Sequence, residues 1–216
     1  MKIYIYLVLL LFMIVVIYEG LTKSSKYAPT KIRRLSRGVF VGMLLRYITL
    51  LIMFAVQNIK YIFIVKPIYF LNLICVPMAA LITIYILIRS EKINFSHMFF
   101  ISGILTIIYA FIIYKYPVIT MLDLKYGYYM KFIKMEYICG AYILINIFLI
   151  MIAINFCNKN VDNKGIALII ISSITLIIEN MLIILGKPIF MESVIGEILW
   201  LVSLNYVINK LKKSGR

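Results

Sequence analysis

Apolar residues along this chain fall into seven runs separated by short clusters of basic and polar residues. The runs lie at about 3–19, 38–58, 67–88, 97–114, 137–156, 166–186 and 189–208. Each approaches the ~20 residues that a helix needs to cross a bilayer's hydrocarbon core. The pattern therefore predicts an all-α fold. Residues 1–216 would form one polytopic seven-helix membrane domain, with short connections and no soluble insertion. The first run follows Lys2, as a signal peptide would. No small-x-small cleavage site follows Tyr18-Glu19-Gly20, and a cationic block comes next, so the run is expected to remain as the first helix.

Composition points the same way. The 216 residues are 64% hydrophobic and 14% charged, with mean hydropathy +1.04. So few charges would not cover the surface of a soluble globule, and so much apolar surface does not stay disordered. The net charge of +15 does not point to nucleic acid, because the basic residues cluster between the apolar runs. That distribution suits anionic headgroups and the positive-inside rule. With seven crossings, the set Lys23, Lys26, Lys31, Arg33, Arg34, Arg37, Arg89, Lys92, Lys159, Lys164, Lys210, Lys212, Lys213 and Arg216 falls on one side. A smaller set falls on the other: Lys2, Lys60, Lys66, Lys115, Lys125, Lys131, Lys134 and Lys187. The richer side marks the cytoplasm, so the N-terminus is expected outside and the C-terminus inside.

The longest outer connection, 115–136, mixes tyrosine and lysine without a helical period. It reads either as an interfacial segment or as a lid over an outward pocket. Lys66-Pro67-Ile68-Tyr69 and Lys187-Pro188-Ile189-Phe190 stand at similar distances after Gln57-Asn58 and Glu179-Asn180. The second and third helices would then repeat as the sixth and seventh, unless the likeness only reflects the use of proline in a first helical turn and lysine at an interface.

Charges inside an apolar span need a reason. Glu179, Glu192 and Glu197 lie in the last two spans and Arg46 in the second. Steps of three or four residues place Ser172, Thr175 and Glu179 on one stripe. They do the same for Arg46 and Thr49, and for Asn72, Cys75, Ala79 and Thr83. Glu179, Asn180, Glu197, Gln57 and Asn72 fall in the outer half and form the candidate ligand-binding set. Two carboxylates with amides suit a cationic or hydrogen-bonding ligand, or simply tie helices together. Arg46, placed ~12 Å above the cytoplasmic start of its run, is expected to lie too deep to pair with Glu197 and to snorkel instead.

Enzyme chemistry, cofactors and metals are not expected. There is no HExxH, and the lone His97 has no partner nucleophile. Asp123 and Asp162 stand in connections, and the last span has no central lysine for a Schiff base. Cys75, Cys139 and Cys157 show no ligand spacing and read as reduced core residues.

Two stretches resemble the seven-helix membrane domain at the N-terminus of many bacterial histidine kinases. One is 61–95, with Pro67, Pro77, Tyr85 and the turn Arg89-Ser90-Glu91-Lys92. The other is 164–208, from Lys164-Gly165 through Leu185-Gly186-Lys187-Pro188 to Trp200. Together they cover about a third of the chain, and their motifs are degenerate. The resemblance implies a ligand sensor in a bacterial cytoplasmic membrane. In that family a transmitter follows the last helix, whereas residues 210–216 here carry none. The expectation is an orphan sensor-like or accessory protein that binds a small ligand and acts through a membrane or cytoplasmic signalling partner. The alternative is a small-solute or ion transporter built from parallel three-helix repeats.

Overall fold

The computed structural model describes residues 2–55, 65–88, 95–123, 127–157, 162–190 and 192–214. It is a helical bundle with one β-hairpin. The helices are α1 (Lys2–Tyr27), α2 (Thr30–Ala55), α3 (Lys66–Tyr69), α4 (Asn72–Ile88), α5 (Ser96–Lys115), α6 (Met135–Cys157), α7 (Asn163–Ile184) and α8 (Val194–Ser214). Strands β1 (Val118–Asp123) and β2 (Gly127–Phe132) stand between α5 and α6. Among the described residues, seven helical segments are long and apolar enough to cross a membrane, with α3 and α4 counted as one.

Helix ends depart from the expected spans where polar residues continue a helix. The cationic block between the first two runs is helical almost throughout, because α1 reaches Tyr27 and α2 starts at Thr30. Lysine and arginine are good helix formers, so the loss of hydropathy there does not end the helix. Pro29 does, since it disfavours helical geometry at Ala28 and then opens the next helix, where its carbonyl accepts from Arg33 N–H at 2.8 Å. The last span begins at Val194 rather than near 189. Lys187 and Pro188 therefore lie in a connection, while Lys66 and Pro67 open α3. The two Lys-Pro pairs occupy different structure, which removes the main support for the repeat. The Lys66 ammonium donates to the carbonyls of Ile113 at 2.7 Å and Tyr116 at 3.0 Å, at the negative end of α5.

Helix α8 packs on α1, α4 and α7, and α4 also touches α2, α5, α6 and α7. These two form the centre of the bundle. Close approach depends on small residues. A Cβ on Gly20 would meet the Phe40 ring at 2.3 Å, and one on Gly196 would meet Leu176 Cγ at 2.5 Å. The segment 115–136, read from its lack of a helical period as an interfacial segment or a lid, contains the antiparallel hairpin, paired from Val118–Phe132 to Asp123–Gly127. Strand β2 lies over the end of α2. Gly127 has φ +75°, and a Cβ there would come 2.9 Å from the Phe54 Cα.

Candidate functional site

The site grows from an interruption between α3 and α4. Around residues 70–74 the backbone switches to three-residue steps, with Leu73 N–H bonded to the Phe70 carbonyl at 3.1 Å and Ile74 N–H to the Leu71 carbonyl at 3.1 Å. The Tyr69 carbonyl, which Leu73 would otherwise satisfy, instead accepts from Arg46 Nη1. A buried guanidinium thus finds an acceptor in a broken helix.

Arg46 and Glu197 form a two-pronged ion pair. Arg46 Nε lies 3.2 Å from Glu197 Oε2 and Nη2 lies 3.0 Å from Oε1. The side chains are 1% and 0% exposed, so water does not solvate either charge. Tyr47 Oη donates to Glu197 Oε2 at 2.9 Å, and Asn72 Nδ2 to Oε1 at 2.9 Å. Glu197 therefore receives four donors, which fills its lone-pair directions. Arg46 Nη2 also pairs with Glu192 Oε2. The Tyr69 hydroxyl accepts from Met130 N–H in β2 at 3.1 Å. Tyr69 thereby links the hairpin to the buried charges, its hydroxyl held by β2 and its carbonyl by Arg46.

The expectation that Arg46 would snorkel away from Glu197 is overturned. Its cause was the assumed helix ends. With α2 starting at Thr30, Arg46 sits ~24 Å along its helix, and Glu197 is only ~5 Å into α8. Since the chain enters the two helices from opposite ends of the bundle, those positions meet near the hairpin.

Beside this cluster is a cavity of about 280 Å³. Arg46, Asn72, Asn180, Glu192 and Ser193 contribute its polar wall. Tyr69, Phe70, Tyr142, Leu73, Ile138, Ile183 and Pro188 surround it, and β2 covers it with Tyr129, Met130, Lys131 and Phe132. The Phe70 and Phe132 rings lie 4.1 Å apart. Tyr142 Oη donates to the Asn72 carbonyl at 2.7 Å, holding α6 against α4. Asn72 Oδ1 is buried without a hydrogen-bond partner.

The five candidate residues separate. Asn72 and Asn180 line the cavity. Glu197 stands behind it, saturated by donors. Glu179 does different work: its carboxylate accepts from Ile195 N–H at 3.1 Å and Gly196 N–H at 2.7 Å, capping the positive end of α8. Gln57 lies outside the described residues. Arg46, Glu192, Tyr69 and Ser193 belong to the site but not to the candidate set. Charge within an apolar run marked Arg46 and Glu192 in the sequence. The register that unites them depends on helix ends that hydropathy does not define. Among the described residues, no group of His, Cys, Asp and Glu is placed to hold a metal ion.

No protein-family model, curated protein or solved structure matches the chain.

Proposed function

We propose that this is a multi-pass membrane protein that binds a small ligand in the cavity beneath its hairpin and acts through another protein, as a sensor-like or accessory component. The hairpin end faces outside, with the N-terminus outside and the C-terminus in the cytoplasm. Apolar side chains support insertion: Val8, Leu11, Phe12 and Val15 on α1, Ile107 and Phe111 on α5, and Leu144, Phe148 and Met151 on α6 are all exposed. Continuous apolar surface on several helices is what lipid covers. The orientation rests on the basic residues concentrated at the end opposite the hairpin.

The observation that carries the ligand reading is the cavity itself. It joins polar groups and aromatic rings in an otherwise apolar bundle, and Tyr69 links its cover to its charged floor, the hydroxyl accepting from Met130 N–H and the carbonyl from Arg46. Ligand pockets combine these features. The resemblance to seven-helix sensor domains agrees with this use. A ligand that bound the hairpin-closed arrangement more tightly would shift the bundle toward it, and a partner would read that shift. The cytoplasm is that of a bacterium if the resemblance extends to source.

The test is sidedness. Ile183→Cys, in a background without Cys75, Cys139 and Cys157, places a thiol on the cavity wall. Membrane-impermeant thiol reagents are applied to oriented vesicles from each face. Labelling from outside alone is expected. Labelling from both faces would replace the sensor reading with the transporter, which must open both ways. No labelling would remove the pocket.

A further inference from the structure

The buried charges do not balance. Around the cavity floor stand two carboxylates, Glu192 and Glu197, and one guanidinium, Arg46. Glu197 takes two of Arg46's prongs and is saturated by Tyr47 and Asn72. Glu192 shares what remains of the guanidinium, is 10% exposed, and is the carboxylate that lines the cavity. Beyond Arg46 it has lone pairs left to accept donors. Lys131 is the other cation of the lining, but it is exposed on β2 at the rim, where water screens it. Glu179 lies outside the cavity lining, where backbone N–H groups of α8 hydrogen-bond its carboxylate.

A carboxylate in low dielectric that shares its one guanidinium with a second carboxylate attracts a further positive charge more strongly than it would in water. The rings around it add to that preference. Tyr69, Phe70, Tyr129, Phe132 and Tyr142 all border the cavity, and aromatic faces attract organic cations. Arg46 itself lies with Cζ 5.6 Å from the Tyr69 ring centroid, so this wall already faces one cation. The volume of about 280 Å³ suits a small ligand rather than a drug-sized one.

We infer that the cavity ligand is a small organic ammonium ion, held by Glu192 and enclosed by the tyrosine and phenylalanine rings beneath the hairpin. The inference rests on the ligand-binding reading above and assigns its chemical class. The ammonium would donate to Glu192, restoring the charge balance of the floor. Its hydrocarbon substituents would pack on the rings. Because Tyr129, Met130 and Phe132 of β2 line the cavity, filling the site would act directly on the hairpin.

The experiment uses the Ile183→Cys protein and two methanethiosulfonates, one bearing trimethylammonium and one bearing sulfonate. The ratio of their labelling rates is compared with the ratio at Ile133→Cys, an exposed position at the same end of the molecule. The ratio at 183 is expected to exceed that at 133 by about tenfold, as a negative cleft concentrates cations. Tetramethylammonium should slow labelling at 183, while tert-butyl alcohol at equal concentration should not. Glu192→Gln should bring the ratio down to the reference while Arg46 keeps its pair with Glu197. Labelling at 183 with no cation preference, or equal protection by the alcohol, would overturn the ammonium assignment and leave the pocket standing. Absence of labelling at 183 by either reagent would instead remove the pocket.

Discussion

At the scale of single residues, Arg46 is the group on which most others depend. It serves Glu197, Glu192 and the Tyr69 carbonyl at once. Removing it strands two carboxylates, and breaking a buried pair by removing one partner costs ~3–5 kcal/mol. Thermal unfolding in detergent should therefore rank Arg46→Met as most destabilised, Glu197→Gln next and Glu192→Gln least. Arg46→Lys should not restore wild-type stability, because a point charge cannot reproduce the two-pronged contact. Wild-type melting of Arg46→Met would mean that the charge cluster contributes nothing to the fold. The sequence exposed these residues as anomalies in apolar runs, yet it separated Arg46 from Glu197. Depth was counted from where hydropathy fell, and the arginines and lysines before residue 38 hid eight further residues of α2.

At the scale of elements, the hairpin was the least legible part. Val118–Asp123 and Gly127–Phe132 alternate only weakly, with Tyr128, Tyr129 and Lys131 blurring the two faces. Tyrosine and lysine at a membrane edge are equally well explained by lipid headgroups. The docking of the hairpin turns on Gly127, where both the left-handed backbone and the 2.9 Å approach to Phe54 Cα exclude a side chain. Gly127→Ala should loosen the cover, seen as faster hydrogen exchange across residues 118–132 with the helices unchanged. Unchanged exchange there would show that the hairpin does not rest on α2. At the opposite end, Asp162 links α7 to α8. Tyr206 Oη donates to it at 2.8 Å and Lys210 lies 3.0 Å away. The Tyr206 hydrogen bond, with Lys210 beside it, holds the Asp162 carboxyl below the usual carboxylate range. A depressed carboxylate stabilises the fold above the unfolded pKa of about 4 and loses that contribution as pH falls through the folded value. Asp162→Asn should melt slightly earlier at pH 7, by under ~1 kcal/mol since Lys210 is half exposed, and the gap should close as pH falls through the folded value. A gap that persisted in acid would assign the effect to something other than the charge.

At the scale of the whole molecule, the seven apolar runs correspond to seven long helical segments, and the all-α bundle was legible from hydropathy alone. Order within the bundle was not. Hydropathy gives no neighbour relations, so neither the central place of α4 and α8 nor the cavity beneath the hairpin could be read from it. The two ends of the bundle differ in kind. Near the hairpin lies the charged cavity, whereas a void among Ile84, Ile152 and Ile169 is small and lined only by apolar residues. That asymmetry supports the proposal of a pocket open on one side. The most direct measurement compares Ile183→Cys, at the charged cavity, with Ile169→Cys, at the apolar void, each exposed to an impermeant thiol reagent from both faces of the membrane. The account predicts labelling of 183 from outside and of 169 from neither face. Labelling of both positions from the cytoplasmic side would contradict it, since a continuous aqueous path would then reach the cavity from that face.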